Sequence, residues 1–144
     1  MELEEIGRQI VDAAYEVHKA LGPGLLESAY EACLKYELYS RNIKFLSQVE
    51  IPVVYKGVSV DIAYRLDLLV EERIIVEIKS VERLNDLHLA QILSYLKMKD
   101  LNLGYLINFN VKYFKNGIKR VVNNYDAGWF LSDFSGLGGS IAFF

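Results

Sequence analysis

Apolar residues recur at Leu3, Ile6, Ile10, Val11, Ala14, Val17 and Leu21, in steps of three and four that gather them on one face of an α-helix. Gly22-Pro23-Gly24 ends that helix, because proline has no amide donor and glycine accepts the turn. Helical spacing returns over residues 25–39, with Leu26, Tyr30, Cys33, Leu34 and Leu38 expected to face inward. The period then drops to two. Val49, Ile51 and Val53 alternate with Gln48, Glu50 and Pro52, and Lys56-Gly57 marks a turn. β-Branched and aromatic residues over 58–70 and 74–79 predict two more strands. A third helix is expected over 86–99, a buried strand over 103–109 and a short last strand over 118–122. The order α-α-β-β-β-α-β-β predicts an α/β fold, a mixed central β-sheet flanked by helices. The step from 74–79 through the third helix to 103–109 calls for a right-handed crossover between parallel neighbours.

Strand alternation also sorts the polar side chains. With Val76 and Ile78 turned to the core, Glu77 and Lys79 share the other face. On the preceding strand Tyr64, Leu66, Leu68 and Val70 form the apolar set, which leaves Arg65 and Asp67 opposite. A three-residue loop, Glu71-Glu72-Arg73, would pair Val70 with Ile74 and set Asp67 across from Glu77, with Cβ atoms about 5 Å apart. A two-residue loop would put the two acids on different faces. Carboxylates that close raise each other's pKa, and a divalent cation relieves the cost. Mg²⁺ takes one or two carboxylates plus water and phosphate oxygens, and it makes a water that it holds more acidic. Lys79 could orient that water or stabilise charge beside it. A surface cluster of Asp, Glu and Lys, worth little to stability, explains the same residues. On the residues alone the two readings weigh equally.

Composition narrows the setting. A chain of 144 residues that is 52% apolar and 24% charged is long enough, and apolar enough, for one domain with a real core. The single cysteine, Cys33, has no internal partner, and the N-terminus lacks the pattern of a secretion signal, so a cytoplasmic setting is expected. No apolar run reaches the roughly 18–20 residues needed to span a bilayer, so no membrane is expected. A net charge of −3 counts against holding nucleic acid by diffuse attraction alone, but leaves room for a local basic strip or a metal. Lys112, Lys115, Lys119 and Arg120, interleaved with Tyr113 and Phe114, would suit a single strand or unpaired end. A solvated hairpin is the plainer account of them. His18 and His88 lack zinc-ligand spacing, and His88 reads as a surface or capping residue.

Asp67 followed by Glu77-Ile78-Lys79 at the end of an apolar strand resembles the PD-(D/E)XK nuclease superfamily. Gly24-Leu25-Leu26-Glu27-Ser28-Ala29-Tyr30 narrows the likeness to the GxxExxY proteins, and Gln91 to Tyr95 is similar to the Q-x-x-x-Y element of RecB-like nucleases. The resemblance implies a restriction-endonuclease-like core over residues 1–123, with Mg²⁺ or Mn²⁺ as cofactor and nucleic acid, DNA first, as substrate. It implies that Asp67, Glu77 and the Ile78 carbonyl hold the metal and that Lys79 positions water or phosphate. Glu27 would add a ligand or a water contact; equally, with Gly24 as N-cap it would sit at the third helical position and stabilise the helix start. Gln91 is expected at the site on a helix face shared with His88 and Tyr95, with Tyr95 near substrate. Tyr30 reads as a core tyrosine with a bonded hydroxyl. A non-catalytic nucleic-acid- or protein-binding module on the same scaffold is the alternative. The tail, 124–144, is rich in aromatics and glycines, holds Asp126 and Asp133, and lies outside the resemblance. It is expected to pack over the domain's own surface or to be partly disordered, the alternative being a homodimer or protein-partner contact.

Overall fold

The computed structural model describes residues 1–125 and the backbone of 139–143. Its elements are α1 (Leu3–Leu21), α2 (Glu27–Ser40), β1 (Phe45–Tyr55), β2 (Val58–Val70), β3 (Ile74–Lys79), α3 (Asp86–Lys99), β4 (Leu103–Asn108), β5 (Ile118–Asn123) and β6 (Gly139–Phe143). The six strands form one sheet in the order β1-β2-β3-β4-β5-β6. Only β3 and β4 run parallel, joined by α3, so the sheet is mixed as the element order predicts. Strand β6 pairs with β5 and is not among the expected strands, because Gly139–Phe143 is too short a run for its alternation to register. The stretch between 126 and 138, with Asp126 and Asp133, lies outside the described residues, as do the side chains of any tail contact.

Two apolar cores hold the layers together. Helices α1 and α2 cover one face through Ile6, Ile10, Val17, Tyr30, Leu34 and Leu38, which meet Leu68, Val70, Val76 and Ile78 of the sheet. Helix α3 covers the other through Ile92, Leu93, Tyr95 and Leu96. Its start is fixed by a reciprocal cap: Asn85 Oδ1 accepts the His88 N–H at 3.0 Å and His88 Nδ1 accepts the Asn85 N–H at 3.1 Å. His88 is thus a capping residue.

Helix α2 begins two residues later than the apolar spacing suggests. Gly24 sits at φ +103°, and the Tyr30 hydroxyl accepts the Leu25 N–H at 3.1 Å while donating to the Gly22 carbonyl at 2.6 Å. These bonds hold 22–25 as a turn, so Leu21 and Leu26 are exposed rather than buried. Glu27 is therefore the first helical residue, behind Leu26 as N-cap, and not the third residue behind Gly24.

The β2–β3 hairpin has the expected three-residue loop, with Val70↔Ile74, Leu69↔Ile75 and Leu68↔Val76 paired. Farther along, β2 departs from simple alternation. Leu68 and Val70 belong to the core under α1 and α2, but Leu66, two residues before Leu68, belongs to the core under α3. The grouping of Leu66 with Leu68 and Val70 on one face is thereby corrected, and Tyr64 is largely exposed. The β1–β2 pairing runs through Ser47↔Leu68 and Val49↔Leu66 but skips Gln48 and Asp67. At that point the ribbon turns over.

Candidate metal and active site

Asp67 and Glu77 occupy the place where β2 and β3 separate. Beyond Leu68↔Val76 the strands no longer pair. Side chains take over the backbone donors there: Glu77 Oε2 accepts the Asp67 N–H at 2.7 Å and Asp67 Oδ2 accepts the Ile78 N–H at 2.8 Å. The two acids thus meet where the pairing ends: the register that would set them directly across from each other stops one pair short of them, at Leu68↔Val76. A strand residue sends its N–H and C=O to the same edge, so the Ile78 carbonyl faces this opening too.

The setting is less open than strand alternation suggests. Glu77 is only 4% exposed, whereas Asp67 and Lys79 are half-buried. Burial, reinforced by the Asp67 charge, pushes the Glu77 carboxyl up to about 8, although the Asp67 N–H and Lys79 pull it the other way. Asp67 is also raised, chiefly by burial, against the pull of the Ile78 N–H and Lys79. Both acids therefore feel Lys79, the cation next to them on β3. From α3, buried Tyr95 feels both acids: burial first, then the charges of Glu77 and Asp67, raise its hydroxyl to about 12. Its ring lies 5.9 Å from that of Tyr64. Gln91, one turn earlier on α3, is half-buried, and no hydrogen bond among the described residues joins it to either acid.

Glu27 arrives from α2. Its Oε1 accepts the Ser80 N–H at 3.4 Å, just past the end of β3, and its charge acts on Asp67. Its position follows from the loop before it. Gly24 N–H donates to Asn110 Oδ1 at 3.0 Å, and the Ser80 hydroxyl donates to the Leu25 carbonyl. Buried Asn108, level with Lys79 on β4, accepts the Val81 N–H at 3.1 Å and donates to the Val81 carbonyl at 2.9 Å. Spacing within the motif thus has a mechanical basis: Gly24 makes the turn, Tyr30 ties it down, and Glu27 between them is aimed at the end of β3.

Two side chains at this site escape a reading of the sequence. Glu31, one turn after Glu27, acts on the Glu77 carboxyl by its charge. Gln48, from β1, donates to both Glu31 oxygens at 2.9 and 3.2 Å. The helical spacing of Glu27 and Glu31 offered a hint of the first; nothing in the strand pattern marked the second.

The basic segment is not one strip. Lys112 and Lys115 are exposed, as is Tyr113, but Phe114 is buried in the core. Lys119 pairs with Leu106 and Arg120 with Tyr105, so these two neighbours project from opposite faces of β5. Arg120 donates to Glu4 at 2.6 Å, and the Tyr125 hydroxyl donates to the same carboxylate. With Glu4, Arg8, Tyr15 and Lys115, Arg120 lines a cavity of about 500 Å³ that contains none of the four site acids.

Whether a metal suits the acid pair turns on its donor set. Among the described residues no three His, Cys, Asp or Glu side chains are grouped tightly enough to cage an ion. Mg²⁺ does not require that; one or two carboxylates suffice when water and phosphate complete the shell. A nearly buried carboxyl held protonated at neutral pH by burial, with a neighbouring acid adding to it, is a group that a cation would ionise. The residues fit.

The profile of the PD-(D/E)XK nuclease superfamily matches residues 4–121. The chain belongs to that superfamily. The superfamily assignment agrees with the α/β restriction-endonuclease-like arrangement of helices around a mixed sheet. Its members typically use divalent metals on nucleic acid, which accords with the carboxylates found here. No curated protein and no solved structure gives a significant match. Among the described residues no helix is long and apolar enough to cross a membrane.

Proposed function

We propose that this protein is a Mg²⁺- or Mn²⁺-dependent phosphodiesterase that cuts nucleic acid, with DNA as its substrate. The observation that carries the reading is the meeting of Asp67 and Glu77 where β2 and β3 part, with Lys79 two residues along β3. In this reading Asp67, Glu77 and the Ile78 carbonyl hold the metal, and Glu27 supplies a further oxygen. The metal would polarise the scissile phosphate and make water a stronger nucleophile.

The chain's own residues do the rest. Lys79 keeps a positive charge beside the phosphate as negative charge builds on it, and orients the attacking water. Glu77 holds a proton while the site is empty and gives it up on loading, which stops two buried anions from coexisting unneutralised. Tyr95 walls the site from α3, and Gln91 beside it reaches substrate phosphate. Lys112 and Lys115, exposed on the loop before β5, steer the strand. The Gly24, Glu27 and Tyr30 spacing supports a place among the GxxExxY proteins, and one cysteine suits a reducing cytoplasm.

The test is cleavage of linear, nicked and single-stranded DNA, and of RNA, with each metal. Asp67→Asn and Lys79→Ala should lose at least about 100-fold in rate while keeping the native circular dichroism spectrum. Protein that cuts none of these with either metal is not a nuclease, and salt-dependent binding without turnover would instead mark a binding module.

A further inference from the structure

Among the described residues seven non-glycine residues have positive φ, and six lie in turns or at element ends: Asn42, Lys56, Glu71, Glu72, Asp100 and Asn124. Gln48, at φ +55°, is the one inside a strand. A left-handed residue in a strand costs free energy and persists only where its surroundings impose it. It also sits at the position that the β1–β2 pairing skips, directly across from Asp67.

What this backbone achieves is visible in the side chain. The Gln48 amide donates to both Glu31 oxygens on α2, at 2.9 and 3.2 Å, and lies near enough to Asp67 to favour its ionised form. A side-chain amide has two N–H groups, so one amide can serve two acids. Glu31 is itself held by Lys35, 3.9 Å away and one turn on. The Asp67 carboxylate is thus held on one side by the Ile78 N–H of β3 and faced on the other by an amide anchored on α2.

We propose that Gln48 is a positioning residue: its left-handed backbone brings its amide to the exposed edge of the site to bridge Glu31 and Asp67, so that the Asp67 carboxylate is held in the orientation that a divalent cation needs. This rests on the reading of Asp67 as a metal ligand. Groups that orient a ligand typically account for about 10- to 100-fold in metal affinity or rate.

Gln48→Gly separates the two roles of this position. Glycine is at ease at φ +55°, so the backbone loses nothing, but the bridge is gone. The expected result is an unchanged or raised Tm, Mn²⁺ binding by electron paramagnetic resonance weakened about 10-fold or more, and a lower kcat for DNA cleavage with KM unchanged. In parallel, ¹⁵N-labelled protein reports the bridge without metal or substrate. The Gln48 side-chain amide protons should be shifted and slow to exchange, and both features should be lost in Asp67→Ala and in Glu31→Ala, which remove the acceptors themselves. Parent protein that neither binds Mn²⁺ nor cuts removes the nuclease reading, and the positioning role with it. Parent protein that does both, with Gln48→Gly its equal, removes the positioning role alone. Gln48 amide signals indifferent to Asp67→Ala remove it as well.

Discussion

Tyr30 lies flat against Phe109, with ring centroids 4.6 Å apart and planes within 7° of parallel. The stack sits in the core under α1 and α2, and it leaves the Tyr30 hydroxyl free to grip the loop that precedes Glu27. Tyr30→Phe keeps the stack and removes the grip. It should lower stability by about 1–3 kcal/mol in urea unfolding, because the Leu25 N–H and Gly22 carbonyl lose a partner. Cleavage should fall more than in proportion to the unfolded fraction, since Glu27 rides on the released segment.

Glu77 makes the metal-free protein sensitive to base. Its carboxyl sits at about 8 in the folded chain against 4.5 in the reference state, so between those values the folded state binds a proton that the unfolded chain does not. Stability is then greatest at acid pH and declines as pH rises through 8. Asp67, shifted in the same direction, adds to the trend. With EDTA present, Tm should drop by at least about 5 °C between pH 5 and pH 8.5, and Glu77→Gln should flatten that slope. Added Mn²⁺ should restore more Tm at pH 8 than at pH 6, because the ion competes with the proton.

Asn108 is 2% exposed and serves a loop, not the core around it. Asn108→Ala would strand the Val81 N–H, leave the Val81 carbonyl only the longer bond from Asn110 at 3.3 Å, and loosen the tie between the ends of β3 and β4. A loss of about 2–3 kcal/mol is expected by denaturant titration. Hydrogen exchange should quicken first in residues 80–85, ahead of global unfolding.

The cations ahead of β5 should divide sharply in a salt titration of DNA binding. Lys112→Ala and Lys115→Ala should each reduce the slope of log affinity against log salt by about one. Arg120→Ala should leave the slope alone and cost about 1–2 kcal/mol of stability, because that guanidinium already belongs to Glu4.

Much of this arrangement could be read from the chain, and the reasons are specific. The β2–β3 register was legible because an odd loop pairs Val70 with Ile74, which carries Asp67 and Glu77 to the point where the strands part. The turn of β1 at Gln48 was not, since glutamine carries no signal for left-handed backbone as glycine or asparagine would. The displaced grouping of Leu66 follows from the same blind spot. Glu27 was found as a residue but misplaced within its helix, because Tyr30, five residues beyond Leu25, sets where the helix can begin. Arg120 read as a free cation because its partner, Glu4, is 116 residues away, and no local pattern reports a contact of that span.

Where the two strands part, the carboxylates of Asp67 and Glu77 stand in for missing rungs of the ladder. Architecture and chemistry therefore draw on the same four oxygens. Alanine at either position would strip an acceptor from a peptide N–H as well as a charge from the site, and the resulting protein would be inactive and weakened for two unrelated reasons. Asparagine and glutamine keep a carbonyl for the stranded donor, so only those exchanges let a lost reaction be blamed on lost charge.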